Sequence, residues 1–278
     1  MTVVPIASSK GSWDGARVMA SARVVVRRVL GPLIVLVFWH LAPTQQWVDP
    51  RFVPSPLTVM HSLQEWMFGP VTGAPYSGTW FMHAANSAYR VLVGFLIAAG
   101  AGVAIGCLIG WYRLVSDLVD PIIQILRPIP ITAWVPFAVI FFGIRDGSAF
   151  FLIALGAFFP IVVNTAAGVV GTPKLQVRAA RMLGIRPYML FPRVILPAAM
   201  PFVFTGLRLG IGLAWVLVIV AEMLAVKSGL GFVMWDAYYF LRMDIIIADM
   251  LSVGLLGFLS DLAIRLIGSW VLRWSRGL

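Results

Sequence analysis

Cysteine and histidine are scarce in this chain of 278 residues, which contains one cysteine and three histidines. Cys107 lies within an apolar run and has no second cysteine to pair with, which excludes an intrachain disulfide and a cysteine metal cluster. His40, His61 and His83 are widely separated and lack ligand spacing, so we expect packing or interfacial roles for them. The sequence therefore predicts no metal site.

Charged residues are scarce as well, at 12% of the chain, whereas hydrophobic residues make up 60%. This composition excludes a soluble domain of such length. The formal net charge of +10 would suit a nucleic-acid partner, but Lys and Arg stand in short stretches between apolar runs and not on one soluble face. We therefore predict a protein embedded in membrane lipid, with no nucleic-acid partner.

Long apolar runs predict an all-α membrane protein with about six transmembrane helices, since one span needs about 20 largely apolar residues. An Arg-rich stretch before the first run resembles a signal peptide, but no convincing cleavage site follows, which favours an uncleaved first span. The six predicted spans, in chain order, are about Val25–Pro43, Ala88–Trp111, Pro128–Ile144, Ser148–Val170, Pro201–Val226 and Ile245–Trp270.

The distribution of Lys and Arg orients these spans. With six spans both termini lie on one side, and if that side is the cytoplasm, inside segments hold 14 of the 21 basic residues and outside segments hold 4. The other three, Arg90, Arg208 and Arg265, lie near or within spans. Because cytoplasmic segments of membrane proteins are enriched in Lys and Arg, we predict that both termini are cytoplasmic.

This topology divides the chain into a cytoplasmic N-terminal segment, residues 1–24, and a transmembrane domain, residues 25–278. The domain includes an outside segment, residues 44–83, and a cytoplasmic loop, residues 171–200. In the outside segment, apolar residues from Leu57 to Phe68 recur near helical spacing and predict a short surface helix. Membrane anchoring and contact with a docking protein both remain open for this helix.

The loop at residues 171–200 has the local chemistry of two short helices. Thr172 is suited to cap the first helix, Pro173 to occupy its first position, and Gly184 to end it in a left-handed conformation. Pro187 is suited to open the second helix.

The first of these helices is amphipathic. Lys174, Arg178 and Arg181 share one face. An apolar stripe consists of Leu175, Ala179, Met182 and Leu183. By chemistry alone, either anionic lipid headgroups or a protein groove would suit such a helix.

The spacing of this loop resembles the hallmark of the permeases of binding-protein-dependent ABC importers: Glu-Ala-Ala, three residues, Gly, nine residues, Ile, one residue, Leu-Pro. The aligned positions here are Arg178-Ala179-Ala180, Gly184, Val194, Leu196 and Pro197. Arg178 replaces the usual Glu, so an ion pair made by that Glu is not carried over. Pro192 is a second departure, which is expected to kink the second short helix.

This resemblance implies a type I ABC importer permease fold with a cytoplasmic coupling helix that docks into a groove of a separate ATPase. The implied coupling residues are Lys174, Arg178, Ala179, Ala180, Arg181, Gly184, Val194, Leu196 and Pro197. It further implies a second, identical or closely related permease copy, two cytoplasmic ATPase subunits, and a periplasmic or lipid-anchored binding protein. The location implied is a bacterial inner membrane.

The chain lacks the Walker A pattern Gly-x-x-x-x-Gly-Lys-[Ser/Thr]. We therefore expect ATP and Mg²⁺ to be bound by the partner ATPase and expect this chain to be no enzyme. An ion-coupled secondary transporter is the alternative, with Glu222, Asp249 and Asp261 as candidate ion-binding groups, although no repeated halves are recognisable. A membrane-embedded enzyme is disfavoured because no His, Cys or carboxylate cluster is evident.

The resemblance covers about Phe52 to Trp274 and looks closest to permeases that import nitrate, taurine, aliphatic sulfonates, bicarbonate and thiamine-pyrimidine precursors. The residues that carry it are Pro54-Ser55-Pro56, Arg127-Pro128-Ile129-Pro130, Ala133-Trp134-Val135-Pro136, Phe158-Phe159-Pro160, Ala221-Glu222-Met223 and Ser228-Gly229-Leu230-Gly231. A small, often anionic solute such as a sulfonate or nitrate is the implied substrate.

Five residues are candidates to line a translocation path. Irregular backbone at membrane depth is tolerated only inside protein or along a cavity, which favours the proline-rich third span as a path wall. The candidates are Pro130, Trp134, Pro136, Trp215 and Glu222. Aromatic helix packing remains an alternative for both tryptophans. Glu222 is expected to be a gate or ion-pair residue, with a structural hydrogen bond to nearby backbone as the alternative.

Other residues within spans suggest helix packing. Asp261 and Arg265 are four apart and are expected to pair on one face, whereas Arg208 is expected either to snorkel to headgroups or to line the path. A small-residue face on the second span would suit close packing within one chain or across a dimer. It consists of Gly94, Gly102, Gly106 and Gly110.

Overall fold

The computed structural model describes residues 30–70 and 75–273, and every regular element in these ranges is a helix. The chain divides into two compact units, residues 1–61 and 62–278. The predicted N-terminal segment 1–24 and the start of the predicted first span lie outside the described residues, as does the extreme C-terminus.

The first unit contains an apolar helix, α1 (Leu30–Thr44). Within α1, the Trp39 indole Nε1 donates a hydrogen bond of 3.0 Å to the carbonyl of Pro54, which ties the segment after α1 back to this helix. Helix α2 (Pro56–Phe68) begins in this unit and continues into the second, which confirms the predicted short helix. Ser55 Oγ accepts from the Thr58 amide at 3.3 Å and so caps α2.

Four helices of the second unit are long and apolar enough to cross a membrane. They are α3 (Trp80–Trp111), α6 (Asp146–Val170), α9 (Leu196–Ala225) and α11 (Met243–Val271). The apolar stretch of α11 is the least covered of the four, with 22% of its most apolar window buried within the chain. Much of the apolar surface of α11 is therefore left for lipid or for another protein.

The predicted third span, Pro128–Ile144, is wrong as a single helix. The structure has α4 (Arg113–Leu126), a 3₁₀ turn at Ile131–Trp134, and α5 (Val135–Phe142), with a bend of 93° across the break. Pro128 and Pro130 lie in this break because proline has no amide hydrogen with which to continue a helix. The six predicted spans thus correspond to α1, four long helices and one bent pair.

Helices α3 and α6 pack closely along the glycine face of α3. A Cβ atom placed on Gly106 would lie 2.7 Å from Thr165 Cβ, and one on Gly94 would lie 2.7 Å from Ile153 Cβ. Gly102 and Gly110 face Ile161 and Val169 in the same way. Of the two arrangements expected for this face, the structure shows packing within one chain.

Short elements connect the later long helices. After α6 the chain forms α7 (Lys174–Met182) and α8 (Pro187–Leu190), then passes through a π turn at Phe191–Ile195 into α9. Helix α10 (Leu230–Tyr239) joins α9 to α11. The predicted second short helix is therefore not separate from the fifth span, since α8, the π turn and α9 form one continuous helical rod.

Candidate functional site

Helix α7 is the predicted coupling helix. The structure confirms the prediction at its C-terminal end and corrects it at its N-terminal end. It begins at Lys174 with no side-chain cap, and Pro173 stands in the capping position. The Thr172 hydroxyl donates to the carbonyl of Gly168 at 3.4 Å. The predicted cap is therefore wrong, because this side chain is hydrogen-bonded to the preceding helix, α6. Gly184 has φ +78°, which confirms the predicted left-handed end.

One face of α7 packs onto its own chain. Ala180 is buried, and Val177 packs against an apolar cluster that contains Val169 of α6 and Ala199 of α9. The predicted coupling helix is thus fixed to the ends of two spans.

The opposite face of α7 is exposed. With about 100° between successive residues, Leu175 and Met182 point away from Val177, and they are 78% and 87% exposed. Lys174, Arg178, Ala179 and Arg181 are exposed beside them. The helix therefore presents an apolar strip with a basic flank.

The loop around α7 carries only positive charge. Residues 171–200 contain five basic residues and no Asp or Glu. They are Lys174, Arg178, Arg181, Arg186 and Arg193, and none forms an ion pair with another described residue. All five are exposed.

The later part of the hallmark lies where α8 enters α9. Pro187 opens α8 as predicted. Pro192 lies in the π turn, where the ladder of helical hydrogen bonds shifts by one residue because proline supplies no amide hydrogen. Val194, Leu196 and Pro197 are half-buried at this junction. These three residues therefore belong to the continuous helical stretch from Pro187 to Ala225.

The five predicted path residues fall into two sets. Pro130, Trp134 and Pro136 belong to the broken span, and the Trp134 indole packs beside Phe137 with ring centroids 5.8 Å apart. Trp215 and Glu222 belong to α9. No hydrogen bond, ion pair or aromatic contact among the described residues joins the two sets.

Trp215 and Glu222 are both buried inside the chain. The Trp215 indole Nε1 donates to Ser260 Oγ at 3.0 Å, which joins α9 to α11. The Glu222 carboxylate accepts from the Gly231 amide at 2.9 Å, the backbone bond expected as its structural alternative. A path role for either residue stays a prediction.

Arg90 is the centre of a buried polar network that the sequence did not reveal. Its guanidinium donates to Glu222 Oε1 at 2.7 Å, to Asp146 Oδ1 at 2.7 Å, and to the carbonyl and hydroxyl of Ser228 at 2.7 Å each. These bonds join α3, α6, α9 and the α9–α10 connection. A charged residue in a span needs a partner, and that rule would have directed attention to Glu222.

The same network holds the Ser228–Gly231 segment against α3. Ser87 Oγ donates to Glu222 Oε2 at 2.8 Å and accepts from the Leu230 amide at 2.8 Å. His83 Nδ1 accepts from the Gly229 amide at 3.1 Å. Gly229 has φ +110° and lies against the Glu222 carboxylate, where a side chain would collide.

Asp249 of α11 is buried like Glu222 but has a different environment. Both residues have no exposed surface, yet neither carboxyl oxygen of Asp249 has a hydrogen-bond partner among the described residues. Within the part of the chain that the structure describes, no group of three His, Cys, Asp or Glu side chains is arranged to hold a metal ion.

Arg208 and Arg265 converge on Asp261. Arg208 Nε donates to Asp261 Oδ1 at 2.9 Å, and Arg265 Nη2 lies 2.9 Å from Asp261 Oδ2. The predicted Asp261–Arg265 pair is confirmed. Arg208 pairs with a carboxylate on the neighbouring helix, and both snorkelling and a role in the path stay predictions for it.

Residues 94–273 match the family described as "Binding-protein-dependent transport system inner membrane component". The chain is 36% identical to the nitrate import permease protein NrtB of Synechocystis sp., over 89% of each chain. It is 33% identical to the taurine transport system permease protein TauC of Escherichia coli, over 87% of this chain and 86% of that one.

The fold is similar to a chain from inward-facing structures of the MetNI methionine ABC transporter. The TM-score is 0.59 at 19% identity, and the match covers 69% of this chain and 96% of that chain. This likeness bears on the fold alone. None of these matches supports the ion-coupled alternative.

Proposed function

The chain belongs to the family of binding-protein-dependent transport inner membrane components and is an ABC importer permease with the type I fold. We propose that helix α7 couples it to ATP hydrolysis by docking into a groove of a separate cytoplasmic ATPase, which binds ATP and Mg²⁺. The observation that carries this proposal is the exposed strip of Leu175 and Met182 beside Arg178. Buried apolar contacts provide most of the affinity in such an interface.

The orientation of α7 favours a protein groove over lipid headgroups. Val177 and Ala180 face the ends of α6 and α9, so the exposed strip points away from the helices that cross the membrane. A partner located beyond the ends of the spans would meet this strip. Arg178 would meet it too, and its positive charge replaces the usual Glu at the interface.

The assembly that fits this proposal contains two permease copies, two ATPases and an extracytoplasmic binding protein. Its location would be the inner membrane, with both permease termini in the cytoplasm. The substrate proposed is a small, often anionic solute such as nitrate, taurine or another sulfonate. The support is the names of the relatives, a nitrate permease and a taurine permease.

Copurification of the tagged chain with its ATPase tests the docking of α7. A Cβ atom on Gly184 would have no neighbour within 4 Å, so only its positive φ limits substitution there. Gly184→Val should strain the turn after α7 and reduce the amount of copurified ATPase about tenfold. Gly184→Asn is the matched control, because asparagine tolerates this conformation, and it should retain the ATPase.

Monodisperse elution of each variant shows that the permease itself remains folded. If folded Gly184→Val retains the full amount of ATPase, or if the wild-type chain retains none under gentle extraction, the docking role of α7 is wrong.

A further inference from the structure

A polar groove lies between α9 and α11, with a volume of about 310 Å³. Residues of both helices line it, including Phe204, Thr205, Arg208, Arg265, Gly268 and Ser269. Arg208 is 12 residues into α9, or about 18 Å along the helix axis. The groove also includes Leu272, the residue after α11, so it extends from that end of the two membrane-spanning helices into their length.

The groove carries one excess positive charge. Two guanidinium groups, of Arg208 and Arg265, share the single carboxylate of Asp261. The side chains of Arg208 and Arg265 are 46% and 43% exposed in the single chain. A guanidinium has five N–H donors, and Asp261 accepts only some of those that the two arginines supply.

Lipid is an unsuitable neighbour for these arginines. A charged side chain within a span is costly in lipid and is normally directed to a bundle interior or to a water-filled cavity. This face of α9 and α11 is therefore expected to border water or protein.

The donors available in the groove come from the guanidinium groups. The hydroxyls of Thr205 and Ser269 donate to backbone carbonyls of their own helices, Pro201 at 2.9 Å and Leu266 at 2.8 Å. Asp261 holds Arg208 and Arg265 side by side, and both arginines line the same groove. Planar guanidinium forks match the paired oxygens of sulfonate, carboxylate and nitrate.

We propose that this groove binds a small oxyanion, such as a sulfonate or nitrate, on its way through the membrane. This inference rests on the proposed function and deepens it, because it gives the permease a substrate site of its own. It also gives a physical reason for an anionic substrate class that does not depend on the names of relatives. The bound anion would neutralise the excess charge of the Arg208–Asp261–Arg265 cluster.

Thermal unfolding of the purified full-length chain in detergent tests this site, followed by tryptophan fluorescence. Sodium methanesulfonate is the anionic probe and dimethyl sulfone its neutral isostere, in a background of sodium gluconate, whose anion is bulky. Methanesulfonate should raise the melting temperature in a saturable way because it binds the folded state. Dimethyl sulfone should not raise it.

Arg265→Gln should weaken the apparent Kd for methanesulfonate at least about tenfold, and Arg265→Lys should give an intermediate value because it keeps the charge and loses the fork. Arg113→Gln is the matched control. Arg113 also pairs with an aspartate four residues away, Asp117, but lies outside the groove. It should retain the wild-type Kd.

The proposal is overturned if methanesulfonate and dimethyl sulfone act alike on the wild type, or if Arg265→Gln binds methanesulfonate as the wild type does. A shift from dimer to monomer in Arg265→Gln, with no effect of the anion on the wild type, would show that a second copy of the chain covers the groove, and this result also overturns the proposal. The measurement needs no ATPase, so its failure leaves the docking of α7 untouched, and the Gly184 experiment leaves the groove untouched.

Discussion

At the scale of single residues, two buried carboxyl groups are in opposite situations. Glu222 accepts hydrogen bonds from Arg90, Ser87 and the Gly231 amide. Asp249 accepts none among the described residues. A buried charge is tolerated when it is paired and hydrogen-bonded, and it is costly when it is not. The charge of Glu222 should therefore stabilise the fold, whereas a charge on Asp249 should not.

The same chemical change should consequently have opposite effects at these two positions. Glu222→Gln removes a charge from a satisfied network and should cost about 3 kcal/mol, at the low end for a broken buried pair because Asp146 still holds Arg90. A fall in melting temperature of roughly 6 to 12 °C is expected. Asp249→Asn should leave the melting temperature unchanged or raise it. Thermal unfolding of both variants in one detergent provides the measurement.

Equal losses in the two variants would show that Asp249 has a stabilising partner of its own. Normal stability of Asp249→Asn together with reduced uptake would instead indicate a functional reason for its burial.

At the scale of helices, the position of α3 depends on four glycines, which have no side chain to hold its backbone away from α6. Gly94, Gly102, Gly106 and Gly110 bring its backbone against Ile153, Ile161, Thr165 and Val169 of α6. Close backbone approach of this kind is a main source of helix association in membranes, where no water is released between apolar surfaces. The packing of α3 on α6 should therefore be sensitive to one added methyl group.

Gly106→Ala tests this sensitivity. Its Cβ would lie 2.7 Å from both Thr165 Cβ and the Val162 carbonyl oxygen, and such overpacking should cost about 1 to 3 kcal/mol. Gly100→Ala on the same helix is the control, because its Cβ would meet nothing within 4 Å. It should be neutral or should stabilise α3 by up to about 1 kcal/mol. Thermal unfolding distinguishes the two, and equal effects would argue against close packing as the cause.

The helices also show what one sequence can and cannot predict. Three predicted features depend on local chemistry. They are the close-packing glycine face of α3, the left-handed conformation of Gly184 and the start of α8 at Pro187. The partner of the glycine face and the contacts of Arg90 were not predicted, because Arg90 and Glu222 are 132 residues apart along the chain. The extent of the broken span was misjudged because α4 carries charges at Arg113, Asp117 and Asp120 that interrupt its apolar pattern.

At the scale of the whole molecule, most of the positive charge lies on one side of the predicted spans. Positive charge is also concentrated on α7 and in the cluster of Arg208, Asp261 and Arg265. The exposed basic flank of α7 suits a cytoplasmic partner. The Arg208–Asp261–Arg265 cluster suits an anion within the spans. The docking proposal requires the orientation that the charge bias predicts, because α7 must face the compartment that supplies ATP.

Labelling of introduced cysteines tests this orientation in cells. Cys107 is partly buried and is replaced by serine to give a background without cysteine. Two variants carry the label: Tyr239→Cys at the last residue of α10, which is 66% exposed, and Leu183→Cys directly after α7, which is 83% exposed. In spheroplasts, a membrane-impermeant maleimide should label residue 239 and should label residue 183 only after the membrane is disrupted, because most Lys and Arg lie on the side of residue 183.

Arg51→Cys provides a second position on the predicted outer side and should behave as residue 239 does. The reverse pattern, with residue 183 labelled in intact spheroplasts, would place α7 outside the cell, where no ATPase could dock. Labelling of all three positions in intact spheroplasts would mean that the chain does not span the membrane as predicted. In either case the docking proposal fails, whereas anion binding by the purified chain would remain a separate question because it depends on the geometry of Arg208, Asp261 and Arg265 alone.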